Sequence, residues 1–142
     1  MATRPGLLDV NVLLALAWPT HQHHRAAHRW FRDESPHGWA TCALTQLGFV
    51  RLSSNPSYSD DAVSPQDAAA LLVQMAAHPK HRFWAELPAL TVDMFQRATG
   101  HQQVMDAYLV GLARHHRGRI VTFDARLKSH ADGDELVTTI TA

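Results

Sequence analysis

One cysteine among 142 residues, Cys42, leaves no partner for an internal disulfide, so packing rather than covalent staples has to hold the fold. No apolar run approaches the roughly 20 residues that a bilayer crossing needs. Nor does a basic leader with an apolar stretch and a small-residue cleavage site precede Leu7. A soluble, cytoplasmic protein without a membrane partner is the expectation. Charge of one sign is missing too: 13 basic and 13 acidic residues cancel, and the overall field offers no general pull on a polyanion. Internal repeats, low-complexity stretches and interdomain linkers are lacking as well. At this length a single domain over residues 1–142 is expected, burying roughly two-thirds of its unfolded surface.

Histidine, by contrast, is plentiful: 11 residues, concentrated at His21, His23, His24 and His28, at His78 and His81, and at His115 and His116. On one helix, His21, His24 and His28 would share a face. That face suits Zn or Ni, and equally an ordinary polar helix surface.

Strand-like and helix-like segments alternate. Residues 6–10 read as a short buried strand, bounded by Pro5-Gly6 and by Asn11. Residues 12–18 read as an apolar helix stopped by Pro19, with Thr20 as N-cap of a second helix reaching residue 32, whose core face is Ala26 or Ala27 with Trp30 and Phe31. Residues 39–41 are a second strand and 43–52 a helix through Leu44, Leu47, Val50 and Arg51. After a loop over residues 53–65, Ser64-Pro65-Gln66-Asp67 starts a helix reaching about residue 78. Residues 82–87 read as a third strand, 91–97 as a short helix and 101–117 as a long one with a Met105, Leu109, Leu112, His116 stripe. Gly118 stands at C′. Residues 119–123 form a fourth strand and 135–140 a fifth at a sheet edge. The pattern predicts an α/β fold in three α/β/α layers around a central parallel sheet of about five strands.

Three junctions carry an aspartate: Leu8-Asp9-Val10-Asn11, Val104-Met105-Asp106-Ala107 and Val121-Thr122-Phe123-Asp124. In open parallel sheets ligands bind beyond the carboxyl ends of the strands, so Asp9 and Asp124 can share a crevice across more than 100 residues of sequence. Three such carboxylates repel at neutral pH unless a hard divalent cation lies between them. Taken singly, each has an ordinary reading. Asp9 or Asn11 can N-cap the helix that follows, Asp106 gains from the helix dipole, and Asp124 can cap a short helix over residues 125–129. Asp106, however, borders the apolar stripe with no Lys or Arg at positions 102, 103, 109 or 110. The joint placement after strands one and four and on the helix between points to a metal site.

With these motifs, joined by Thr45-Gln46-Leu47-Gly48-Phe49-Val50-Arg51, the chain resembles the PIN-domain nucleases along essentially its whole length, and among them the VapC toxins of bacterial toxin–antitoxin pairs. The resemblance implies an endoribonuclease dependent on Mg2+ or Mn2+, with Asp9, Asp106 and Asp124 as catalytic metal ligands, supported by Asn11, Gln46 and Thr122. It also implies a VapB-like antitoxin and a homodimer. The family usually has a glutamate in the helix after strand two, and Gln46 stands at the position aligned with it, adding an amide carbonyl but no charge. Arg51, Arg114 and Arg126, with Arg117 and Lys128, are candidates to hold RNA phosphates, and Trp39, Tyr108 or Phe123 to stack on bases. An alternative is a degenerate module that binds RNA or protein without cleavage. A phosphoacceptor receiver domain is excluded, because Glu86-Leu87-Pro88 and Ile140-Thr141-Ala142 supply neither its acceptor aspartate nor its lysine.

Overall fold

Five short strands, all parallel, make one sheet in the order β3-β2-β1-β4-β5. They are β1 (Gly6–Leu8), β2 (Trp39–Cys42), β3 (His81–Trp84), β4 (Arg119–Thr122) and β5 (Val137–Thr139). The helices are α1 (Val10–Ala17), α2 (His24–Glu34), α3 (Ala43–Ser53), α4 (Pro65–Ala76) and α5 (Val104–His115). This computed structural model describes residues 4–141.

Alternation along the strands divides the core. Leu8, Trp39 and Val121 turn to the face covered by α1 to α4, whereas Leu7, Ala40 and Ile120 turn to the face covered by α5. Strands buried on both faces explain why β1 reads as an unbroken apolar run and β2 as one interrupted only by Thr41, every residue of each being buried. Each fully buried leucine contributes roughly 1.5–3 kcal/mol, and Leu7, Leu8, Leu13, Leu14 and Leu112 are in that state. Helices on both faces of a five-strand parallel sheet are the three-layer architecture expected.

Several boundaries move for identifiable reasons. Strand β1 stops at Leu8 because Asp9 already caps α1, its side chain accepting the Val10 N–H. Thr20 does not cap α2: its hydroxyl donates to Asp61, and His23 takes the N-cap position without a side-chain bond. The helix expected over residues 91–97 is a single 3-10 stretch, Val92–Phe95, and residues 101–103 form another before α5 begins. On α5 the buried side is Ala107 and Leu109 to Ala113, and Met105 is half exposed. The last two strands are shorter than expected, with β5 at the sheet edge beside β4.

Gly118 is required for a different reason from the one its sequence position suggests. The left-handed residue after α5 is Arg117 (φ 55°). Gly118 lies one further on, its N–H donating to the Ala113 carbonyl at 2.8 Å in a Schellman closure. A Cβ there would come within 2.6 Å of the Pro5 carbonyl oxygen and 2.7 Å of the Trp84 ring. Close approach, not φ, selects glycine.

The histidine-rich face also resolves. His24 Nδ1 and His28 Nε2 lie 2.7 and 2.9 Å from the carbonyl oxygens of Ala15 and Leu16, which the end of α1 leaves without helical partners. His21 precedes α2, and its Nδ1 accepts the His23 N–H. These rings stitch α2 to α1. Among the described residues no cluster of three or more His, Cys, Asp or Glu forms a ready-made metal cage.

Candidate active site

The strand order puts β1 beside β4, and the chain crosses to opposite faces of the sheet from these two strands. At such a switch point the connections part and leave a crevice at the carboxyl edge. Leu8 pairs with Val121, and the Asp9 N–H continues the ladder to the Val121 carbonyl at 2.9 Å. Residues 113 apart in sequence, Asp9 and Thr122, thereby become neighbours.

Asp9 is 9% exposed. One carboxylate oxygen accepts the Val10 N–H at 2.8 Å and the other the Thr122 hydroxyl at 2.8 Å. Thr122 is wholly buried, and its oxygen also accepts the Asn11 side-chain amide (3.3 Å) and the Asp124 N–H (3.0 Å). With both acceptor positions used, its single proton is fixed on Asp9. Asn11 completes the net by accepting the Phe123 N–H at 3.4 Å. Burial pushes the Asp9 carboxyl above the ordinary range; the bonds from Thr122 and Val10 oppose this, and the negative charges of Asp106 and Asp124 add to it.

Asp106 stands in the first turn of α5, half buried, with no hydrogen bond or ion pair to its carboxylate among the described residues. Burial first, then the charge of Asp124, raises its carboxyl, and Arg126 partly counteracts the rise. It lines a polar crevice of about 130 Å3 with Gln102, Gln103, Arg126, Ser129 and His130.

Asp124 caps the 3-10 turns of Ala125–His130 by accepting the Arg126 N–H at 2.9 Å. The Arg126 guanidinium also forks across both its oxygens, Nε at 2.9 and 3.2 Å and Nη2 at 2.9 Å. That bond from Arg126 holds the Asp124 carboxyl below the usual carboxylate range. Asp124 is therefore the compensated member of the trio.

The trio shares one electrostatic neighbourhood, since Asp9 responds to both other aspartates and Asp106 to Asp124. As a donor set it offers hard carboxylate oxygens with excess negative charge, the chemistry that suits Mg2+, Mn2+ or Ca2+ rather than a soft metal. Burial first, and neighbouring negative charge second, disfavours the ionised forms of Asp9 and Asp106, a penalty that a bound dication would offset. The donor type fits such an ion, although among the described residues the three carboxylates are not drawn together into a closed cage as they stand.

Other expected site residues lie elsewhere. Gln46 donates its amide to the Thr41 hydroxyl at 3.1 Å and lines a groove between α3 and α4 with Leu47, Leu72 and Val73. The α3 residue that backs onto the start of α1 is Gly48, where a Cβ would meet the Val10 side chain at 2.6 Å. Arg51 and Arg114 each lie eight residues along their helices from the site edge, about 12 Å down the axis. Arg114 is paired with Asp132 at 3.4 Å. Arg117 occupies the turn after α5, and Lys128 is exposed on the 3-10 turns. Trp39 is core, T-stacked on Phe31; the Tyr108 hydroxyl donates to the Pro88 carbonyl; Phe123 stacks on His23 at 4.6 Å. The grip of Arg126 on Asp124 escaped the sequence, although two-residue spacing within one loop was its signal.

Residues 6–133 match the PIN-domain family model, and the chain belongs to the PIN-domain family. Within it the resemblance is to proteins of the VapC type. Ribonuclease VapC38 of Mycobacterium tuberculosis (strain ATCC 25618 / H37Rv) is 47% identical over 120 residues, 84% of this chain and 85% of that protein. Ribonuclease VapC39 of the same strain is 44% identical over 129 residues, covering 89% and 93%. Ribonuclease VapC44 is 44% identical over 122 residues, covering 84% and 85%.

Proposed function

We propose that this chain is a metal-dependent endoribonuclease, the toxin of a toxin–antitoxin pair, formed as one nuclease domain over residues 1–142. The observation that carries the reading is a buried, hydroxyl-anchored Asp9 at the β1/β4 switch point, with an uncompensated Asp106 on α5 close enough to raise the Asp9 carboxyl. The names of its relatives, all ribonucleases, support the same reaction class.

In this reading Asp9, Asp106 and Asp124 hold Mg2+ or Mn2+, with Asn11 and Thr122 in support. The bound ion supplies positive charge to a phosphodiester and acidity to a coordinated water. The chain's own part is positional. Thr122 locks the Asp9 carboxylate, Asn11 fixes the turn that carries Asp124, and α5 presents Asp106 from the facing layer. In this reading Arg126, exposed on the crevice that Asp106 lines, is the candidate cation for an RNA phosphate once its fork leaves Asp124. Gln46 leaves the carboxylate set at three. A VapB-like antitoxin, a homodimer and a cytoplasmic setting belong to the same proposal; among the described residues no helix is long and apolar enough to cross a membrane.

Incubating the purified protein with total RNA and Mg2+ or Mn2+, alongside Asp9→Ala and Asp106→Ala, tests the reading. Cleavage by the unaltered chain and loss in both variants is expected. Equal cleavage by all three proteins would remove the site from the reaction, and binding of RNA without cleavage by any would favour a non-catalytic module.

A further inference from the structure

The three carboxylates differ in how much of their coordinating capacity is free. A carboxylate has about four lone-pair positions. Asp106 has none engaged among the described residues, and Asp9 has two, by Val10 and Thr122. Asp124 has three N–H donors on it, every one from Arg126: the backbone N–H on Oδ1, Nε shared between Oδ1 and Oδ2, and Nη2 on Oδ2. In this conformation Asp124 has the least free capacity of the three to offer a cation.

Among the described residues no other hydrogen bond or ion pair restrains the clamp. The Arg126 side chain is 90% exposed, and its guanidinium makes no hydrogen bond except to Asp124 among the described residues. It sits on the crevice that Asp106 lines, so a small rotation about its own side-chain bonds carries the fork into solvent without disturbing the core. The Arg126 N–H bond, being backbone, would keep Asp124 in place after the fork leaves.

We propose that Arg126 is a resident counterion of Asp124, displaced when a divalent cation takes that carboxylate, and that it thereby sets the dication concentration at which the site fills. The inference rests on the reading of the three aspartates as the dication site. Arg126 is a positioning residue here: it steadies Asp124 and lowers local repulsion while the metal is away, at a cost to metal affinity.

The test is isothermal titration of Mn2+ into the full chain and into Arg126→Gln, Arg126→Lys and Asp106→Asn, with circular dichroism to verify folding. Displacement predicts that Arg126→Gln binds Mn2+ about threefold to tenfold more tightly, the fork being a charge-assisted bidentate contact. Lysine keeps the charge but lacks the fork, so Arg126→Lys should fall between Arg126→Gln and the unaltered chain. Asp106→Asn should weaken binding at least tenfold. Unchanged or weaker affinity in Arg126→Gln overturns the displacement, as does an Arg126→Lys affinity equal to that of the unaltered chain, which would leave only through-space repulsion. Unchanged affinity in Asp106→Asn sinks the underlying site and the displacement with it, and so separates the two failures.

Discussion

Replacing Thr122 by valine removes one hydroxyl and almost no volume from a position with no solvent exposure. Three hydrogen bonds go with it: the donation to Asp9 at 2.8 Å and the two accepted from Asn11 at 3.3 Å and the Asp124 N–H at 3.0 Å. The two donors lie in part-buried surroundings and can turn to water on their own exposed side, so their loss costs little. The bond to Asp9 is different, because it serves a charged and buried group; such a bond contributes about 1.5–3 kcal/mol. A net loss of about 2 kcal/mol is expected in urea denaturation at pH 7 without metal, against a total stability of roughly 5–15 kcal/mol for a domain. Thr122→Ser restores the hydroxyl and gives up one buried methyl, about 1 kcal/mol, so it should stand between the two. Because Thr122 favours the charged form of Asp9, the valine variant should also bind Mn2+ more weakly at neutral pH. A valine variant within about 0.5 kcal/mol of the unaltered chain, or a serine variant as damaged as valine, would refute the idea that this hydroxyl anchors the carboxylate.

Three further outcomes follow from particular contacts. Asp106 has a raised carboxyl, so its contribution to stability is complete below the ordinary value of 3.8 and is lost as pH rises through the folded value. Metal-free Asp106→Asn should therefore be more stable than the unaltered chain at pH 7, by about 0.5–1 kcal/mol after solvent screening, with the gain shrinking toward pH 4; thermal melts across that range check it. Gly118→Ala drives a Cβ against the Pro5 carbonyl and the Trp84 ring, and a loss of about 2–3 kcal/mol in denaturation is expected, since neither neighbour can yield freely. His28→Ala removes the ring at the Leu16 carbonyl; it should lower stability by about 1 kcal/mol and leave Mn2+ titration unchanged.

What the amino-acid order disclosed was periodicity and punctuation. Runs such as Gly6 to Leu8 and Arg119 to Val121 announced buried parallel strands, and Ser64-Pro65 marked the start of α4 at the residue observed. Asp9, Thr122 and Asp124 could be placed together because strand ends converge on one edge whatever lies between them. Side-chain direction was not encoded so locally. Gln46 and Gly48 are two residues apart on α3, and only helix packing decides which of them faces α1. The spacing of Arg114 from Asp106 allowed either end of α5 to meet the crevice, and the tie to Asp132 depends on a loop 18 residues on. The helical spacing of His24 and His28 suited metal ligands and an ordinary polar surface equally, and could not show that both rings meet carbonyls of another helix. Those carbonyls, of Ala15 and Leu16, lie at the end of α1, and only the packing of α2 on α1 brings the rings to them.

Nuclease chemistry at this site requires Asp9 and Asp106 to act on the same ion. Crystals soaked in Mn2+ and measured at the manganese absorption edge test it most directly. An anomalous peak bonded to carboxylate oxygens of both Asp9 and Asp106 is predicted. A peak held by the histidines instead, or none at these two aspartates, would contradict it.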